Sequence, residues 1–138
     1  MTTFFVPGIP VAQPRVKAAR MGKFIRIYTP KVADNWKRSV SIYFKQVAGE
    51  TYVVPVKVLL EFYMPRPKSH YNKSGLKPDA PYFHSSRPDI DNLTKAVLDA
   101  LTDSGAWSDD SLVAVLETDK QYADQETDMG CRVSIIPL

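Results

Sequence analysis

The chain has 138 residues, of which 44% are hydrophobic and 24% charged, a balance typical of one globular domain. We therefore expect a single domain over residues 1–138. No stretch approaches the roughly 20 apolar residues that a membrane-spanning helix needs, and the N-terminus lacks the pattern of a secretory signal. The lone Cys131 lies in an apolar run, so we expect a buried thiol and a cytoplasmic location.

The net charge of +3 hides a strong asymmetry along the chain. Residues 1–88 hold 15 Lys and Arg against 4 Asp and Glu, whereas residues 89–138 hold 3 against 11. A basic segment can neutralise phosphates and an acidic one can hold cations, a combination suited to cutting nucleic acid. Chance segregation of charge on a solvated surface is the alternative that composition leaves open.

The first 49 residues predict strands followed by a helix. Within residues 2–11, the sequence predicts a strand that ends at Pro7-Gly8. Residues 12–21 are predicted to be irregular and basic, and residues 23–28 to form a short strand. Thr29-Pro30 predict the cap and first position of a helix that ends at Gly49. The apolar face of that helix follows helical spacing: Trp36, Val40, Tyr43, Phe44 and Val47.

The remainder predicts a long strand, a long loop, a second helix and two more strands. Residues 52–64 are rich in β-branched and aromatic residues, whereas residues 65–88 are basic, rich in proline and predicted to be irregular. A helix is predicted from about Asp91 to Leu101, and residues 111–122 and 128–136 are expected to form a hairpin. The fold class is therefore α/β (α+β), with about two helices packed on a mixed sheet.

Four aspartates around the second helix are the candidates for chemistry. Asp89 and Asp91 are two residues apart, so in an extended backbone their carboxylates point the same way. Asp109 and Asp110 follow the helix and a turn, which lets the chain return beside the first pair. Carboxylates without nearby cysteine or histidine suit Mg²⁺, or Mn²⁺ as a substitute, rather than zinc. An EF-hand is disfavoured because its glycine and glutamate are missing.

Each of these residues also has a structural interpretation. Asp91 alone would be a good helix cap, and Asp109-Asp110 alone would more often be ordinary turn residues. Lys95 lies one helical turn after Asp91, where its ammonium could pair with Asp91 or Asp99, or could instead bind a phosphate. Caps alone would not need so many mutually repelling carboxylates, so we favour the metal site.

The segment DIDNLTKAVLDALTDSGAWSDD resembles the RusA family of Holliday-junction resolvases, closely across residues 87–113. Other parts of the chain are compatible with this resemblance: the N-terminal strand with its Pro-Gly pair, the basic loop, and Tyr-Thr-Pro before a helix. The resemblance implies a RusA-like endonuclease domain over residues 1–138. It also implies a homodimer that depends on Mg²⁺ or Mn²⁺ and cuts four-way DNA junctions by paired nicks in recombination and repair.

The resemblance also implies roles for individual residues. The metal ligands fall on Asp89, Asp91 and Asp110, with Asp109 beside them, and the catalytic lysine falls on Lys95. Candidate DNA contacts in the basic half are Arg15, Lys17, Arg20, Lys23 and Arg87. The enterobacterial type of the family has a basic residue, implicated in DNA binding, directly before the first aspartate. This chain has Pro88 there, so the role of Arg87 is open. The loop 65–88 is also longer here than in that type.

Some further residues and two other functions remain open. Stacking on unpaired bases is conceivable for Tyr28, Tyr71, Tyr82 and Phe83, although packing is the commoner role of each. Leu98 lies off the apolar stripe of its helix, where it could face a partner subunit. The alternative functions are a non-catalytic DNA-binding protein and a metal-dependent phosphoesterase acting on nucleotides, although the latter lacks a glycine-rich phosphate loop.

Overall fold

The computed structural model describes residues 1–138 and contains two helices and a mixed four-stranded sheet, as predicted. The elements longer than three residues are β1 (Thr2–Pro7), β2 (Lys17–Met21), β3 (Phe24–Tyr28), α1 (Asp34–Val47), β4 (Val56–Met64), α2 (Ile90–Asp103), β7 (Val113–Tyr122) and β8 (Gly130–Pro137). Two short strands, β5 (Tyr71–Asn72) and β6 (Gly75–Leu76), lie between β4 and α2. Neither helix is long and apolar enough to span a membrane.

The main sheet has the strand order β1-β8-β4-β7, and both helices contribute to the core on one of its faces. Every second residue of β4 is buried, from Val56 to Met64, which is the pattern of a central strand covered on one side. The predicted apolar stripe of α2 is fully confirmed, because Leu93, Ala96, Val97, Ala100 and Leu101 are all buried. On α1 the buried residues are Trp36, Val40 and Phe44.

The predicted hairpin of the last two strands is wrong, because β4 lies between them. β4 pairs in parallel with β7 and antiparallel with β8. The parallel pair requires a crossover, and α2 provides it. Alternation of apolar residues reports which face of a strand is buried, but it does not report which strand is its neighbour.

The segment predicted to be irregular at residues 12–21 contains a strand. Its second half forms β2, which pairs antiparallel with β3, and we call this pair the ribbon. Met21 and Phe24 face each other across a two-residue turn in which Gly22 has a φ of +62°. Such tight turns need a residue that tolerates positive φ, so Gly22 is the residue that makes the ribbon possible.

α1 begins later than predicted, whereas α2 begins within one residue of the predicted start. Thr29-Pro30 does not start α1; instead, the N–H of Asp34 donates to the carbonyl of Lys31 in a turn that precedes the helix. Proline favours turns as well as first helical positions, so the sequence signal was ambiguous. α2 begins at Ile90 with Asp89 at the cap position, which places Asp91 inside the first turn.

The long segment 65–88 has little regular structure but is anchored to β7 by several contacts. The Arg66 guanidinium donates to the carbonyl of Pro81 (2.8 Å) and lies over the ring of Tyr122, 4.8 Å from its centroid. The hydroxyl of Tyr82 donates to the side-chain oxygen of Gln121. The backbone N–H of Tyr122 donates to the carbonyl of Tyr82, and that of His84 to the carbonyl of Lys120. The segment is therefore fixed against the sheet edge.

Candidate active site

One side of α2 forms the wall of a surface cavity of about 590 Å³. While the buried stripe faces the core, the neighbouring helix face meets the cavity with residues at helical spacing. These residues are Ile90, Asp91, Thr94, Lys95, Leu98, Asp99 and Thr102. The opposite wall is formed by residues after α2 and on β7: Trp107, Asp110, Val113, Leu116 and Thr118. The cavity thus has apolar walls that carry three carboxylates, Asp91, Asp99 and Asp110, and the ammonium of Lys95.

The turn after α2 brings Asp110 back to the helix. Gly105, with a φ of +78°, reverses the chain just after the helix ends. The indole N–H of the buried Trp107 then donates to the hydroxyl of Thr102 (3.0 Å), and Ser108 donates its N–H to the carbonyl of Tyr52 (3.0 Å). These contacts fix the turn, so the expected return of the chain beside α2 is observed for Asp91 and Asp110.

The two adjacent aspartates of this turn differ in their surroundings. Asp109 caps a short turn, because its carboxylate accepts a hydrogen bond from the N–H of Ser111 (2.8 Å). Hydrogen bonds from Ser111 also hold the pKa of Asp109 below its usual value. Asp109 does not line the cavity, whereas Asp110 does. The geometry therefore favours Asp110 as the residue that faces a substrate.

Asp89 lies at the entrance of α2 and lines a neighbouring cavity of about 660 Å³. Its walls are basic, with Arg15 and Arg87, and they also contain Asn92. The backbone of Gln13 donates to the carbonyl of Asn92 (2.9 Å), which ties the start of the ribbon segment to the first turn of α2. Asp89 thus lines this basic cavity, whereas Asp91 lines the cavity that also contains Lys95 and Asp110.

Lys95 is exposed and pairs with Asp99 one turn further along α2, at an Nζ–Oδ2 distance of 3.4 Å. An exposed pair of this kind stabilises a helix by only about 0.3–0.5 kcal/mol. The ammonium can therefore exchange its carboxylate partner for a phosphate at little cost. Both the structural and the catalytic interpretation of Lys95 are compatible with its place in the cavity wall.

Sequence reasoning missed Lys120, which connects β7 to the segment that leads into α2. Its ammonium donates to the carbonyl oxygens of Ser86 (2.7 Å) and Pro88 (2.8 Å), directly before Asp89. The nearby His84 is buried, and burial together with the charge of Lys120 lowers its pKa. Lys120 sits in an alternating strand like many surface lysines, so no local signal distinguishes it.

The remaining candidates for DNA contact lie mainly on the ribbon. Lys17 and Arg20 are on β2 and Lys23 is in the turn, and all three are exposed. The aromatic candidates are also partly or largely exposed: Tyr28, Tyr71, Tyr82 and Phe83. Leu98 lines the cavity and is partly buried against the core, so it is less available to a partner than its position on the helix suggested.

No three His, Cys, Asp or Glu side chains come close enough together to form a ready-made metal cluster. Mg²⁺, however, keeps several of its waters and is usually bound through one or two carboxylates together with substrate phosphates. Asp91 and Asp110 in one cavity, with Asp89 at the adjacent helix entrance, provide oxygen donors of that kind. The donor chemistry therefore fits a hard divalent cation that is completed by water and substrate.

A cavity with three carboxylates and an ammonium beside a crossover helix, next to a basic cavity, is typical of proteins that act on a phosphate-bearing substrate. Comparison with known proteins narrows the class. Residues 7–135 match the family described as Endodeoxyribonuclease RusA, so the chain belongs to that family. An uncharacterized protein of Bacillus subtilis (strain 168), YqaN, is 32% identical to it over 126 residues, or 88% of each chain. The predicted resemblance is confirmed, and membership implies an endodeoxyribonuclease.

Proposed function

We propose that the protein is a magnesium-dependent endodeoxyribonuclease that resolves four-way (Holliday) DNA junctions in recombination and repair, with Mn²⁺ as a possible substitute ion. The observation that carries the proposal is the shared cavity of Asp91, Lys95 and Asp110 in a chain of the RusA family. A cytoplasmic location belongs to the same proposal and agrees with the buried, unpaired thiol of Cys131.

In this proposal the carboxylates hold the cation and the lysine binds the phosphate. Asp91 and Asp110 are the ligands in the cavity, Asp89 contributes from the helix entrance, and Asp109 keeps Asp110 in place by capping its turn. When bound, Mg²⁺ would stabilise charge on the phosphate and activate a water. Lys95 would leave Asp99 and bind a non-bridging oxygen of the scissile phosphate, where its positive charge favours the transition state.

The substrate would be held by phosphate contacts that do not read sequence. Arg15 and Arg87 border the cavity of Asp89, and Lys17, Arg20 and Lys23 extend the positive surface along the ribbon. A four-way junction contains two symmetry-related strands to cut, so two identical sites related by a two-fold axis match it. We therefore propose a homodimer, which light scattering of the purified protein would test.

The deciding experiment incubates the protein with a synthetic four-way junction, a linear duplex of the same sequence, and free nucleotides, each with Mg²⁺ or with EDTA. We expect paired nicks in the junction, in Mg²⁺ only. Asp91→Asn should abolish cutting because it removes a ligand charge. Asp103→Asn is the matched control, because it makes the same change on the same helix at an exposed residue outside the cavity, and it should cut normally.

Two results would replace this proposal with one of its alternatives. Junction binding with no cutting under any metal would indicate a non-catalytic DNA-binding protein, for which the acidic residues are dispensable. Hydrolysis of free nucleotides without junction cutting would indicate a phosphoesterase. Equal loss of activity in Asp91→Asn and Asp103→Asn would show that the cavity is not the active site.

A further inference from the structure

The ribbon is exposed on both of its faces. Residues directly opposite each other in an antiparallel pair lie on the same side, so Met21 and Phe24 share one face while Arg20 and Ile25 share the other. The largest exposures are at and near the turn, with Phe24 78%, Ile25 71% and Ile27 72% exposed. An isolated two-stranded hairpin is marginally stable in water, so large apolar side chains on both faces need an explanation.

The charge of the ribbon has a single sign. Lys17, Arg20, Lys23 and Arg26 are its charged residues, and there is no acid between Met1 and Asp34. None of these cations forms a salt bridge within the chain. A projecting element with unpaired cations along its length and apolar side chains at its tip suits a partner with phosphates outside and flat apolar surfaces inside.

The base of the ribbon lies beside the candidate active site. Arg15, two residues before β2, lines the cavity of Asp89, and Gln13 is hydrogen bonded to the first turn of α2. Five residues per strand extend the ribbon by about 17 Å from this point. DNA bound at the active site would therefore lie within reach of the ribbon.

We propose that the tip of the ribbon, Phe24 and Ile25, is a wedge that inserts between base pairs at the branch point of the DNA substrate. This inference rests on the proposed junction nuclease function and names the residues that would distinguish a junction from a duplex. Base pairs at a branch point are easier to unstack than those inside a duplex, so an apolar wedge is inserted there at a lower cost. The cations along both strands then hold the phosphates on either side.

The two-sided character of the tip favours DNA over a second copy of the chain. Docking on a protein surface would cover one face of the ribbon and leave the apolar residues of the other face in water. Insertion between two base pairs covers both faces at once, Phe24 on one and Ile25 on the other. Each face also carries a cation beside its apolar residues, Arg26 on the face of Phe24 and Arg20 opposite Ile25 on the other, which suits a gap lined by phosphates better than an apolar dimer interface.

The test uses the double variant Phe24→Ser/Ile25→Ser, which keeps every cation of the ribbon. Binding without Mg²⁺ is measured to a four-way junction and to a linear duplex, and 2-aminopurine at the branch point reports unstacking by its fluorescence. We expect the variant to lose about tenfold in junction affinity and the fluorescence increase, while duplex affinity changes less than about twofold. Val53→Ser is the control, since it removes an exposed apolar side chain that lies outside the ribbon.

Each other outcome has a distinct meaning. If the parent protein prefers the junction and the double variant retains both the preference and the fluorescence increase, the wedge is wrong and the proposed nuclease function stands. If the parent protein itself binds duplex and junction equally and cuts neither, the proposed function fails and the wedge with it. If light scattering shows that the variant dissociates to a smaller species, the ribbon is an interface between copies, which also overturns the wedge.

Discussion

The ribbon and the segment 65–88 show opposite relations between regular structure and packing. The ribbon has complete strand pairing, but nine of the ten residues in its two strands are exposed. The segment 65–88 has almost no regular structure, but Arg66, Tyr82 and His84 attach it to the end of β7. Backbone pairing and attachment to the core are thus separate properties, and each region has only one of them.

The difference matches what the proposed function requires of each region. The anchored segment leads directly into Asp89 and the first turn of α2, where chemistry needs side chains fixed to within a fraction of an ångström. In the proposed function the ribbon presents cations and apolar side chains to a large substrate, for which reach matters more than fixed position. Substitutions along the anchored segment should therefore affect cutting, and substitutions on the ribbon should affect binding.

The largest expected effect is at the point where the anchored segment ends. Asp89→Asn keeps the shape of the side chain but removes its charge, so we expect junction binding to be retained and cutting to fall by about 1,000-fold or more, the scale on which essential electrostatic groups act. Gel-shift and cleavage assays on the same junction measure the two properties. Cutting at the parental rate would show that Asp89, in its separate cavity, takes no part in the chemistry.

Lys120→Met tests whether the anchoring itself serves catalysis. The change removes both hydrogen bonds to the carbonyls of Ser86 and Pro88, so the residue that follows, Asp89, loses its fixed position. We expect cutting to fall by about 100-fold, the effect of a misplacement of about 1 Å, with junction binding unchanged. Cleavage rates as a function of Mg²⁺ concentration are the measurement, and a higher Mg²⁺ requirement is the sign of a displaced ligand.

Two further variants distinguish a displaced Asp89 from a general loss of stability at the sheet edge. Lys120→Arg keeps a long cationic donor and should recover much of the cutting. Lys57→Met removes the partly exposed ion pair between Lys57 on β4 and Glu117 on β7, the strand that also carries Lys120. This variant should leave cutting unchanged. If Lys57→Met and Lys120→Met reduce cutting equally, the effect belongs to the stability of the sheet edge rather than to Asp89.

The sequence predicted best those features that depend on local spacing. The buried stripe of α2, the long strand β4 and the return of Asp110 to the helix all follow from short-range patterns and were found as expected. The insertion of β4 between β7 and β8 was missed, because neighbours in a sheet are decided by tertiary packing. Lys120 was missed for the same reason, since its two acceptors lie 32 and 34 residues away along the chain.

On the ribbon, Arg20→Ala should weaken binding without changing the chemistry. The loss of one phosphate contact lowers the slope of log affinity against log salt concentration by about 1, for junction and duplex alike. Binding measured at several salt concentrations gives the slope, and cutting at saturating protein should remain at the parental rate. A slope that does not change would place the DNA away from the ribbon and would remove the contrast between the two regions.

The smallest expected effect is on how the stability of the folded protein depends on pH, through His84 in the anchored segment. Burial, followed by the charge of Lys120, lowers the pKa of His84 below its usual value of 6.5, so the folded protein binds this proton less readily than the unfolded chain. The stability that neutral His84 contributes is therefore complete above about pH 6.5 and is lost as the pH falls below it. His84→Asn, which carries no titrating group, should lose less stability than the parent protein between pH 7.5 and pH 5.5. Thermal unfolding at the two pH values gives the comparison, and an equal loss in both proteins would show that His84 does not contribute to the pH dependence of stability.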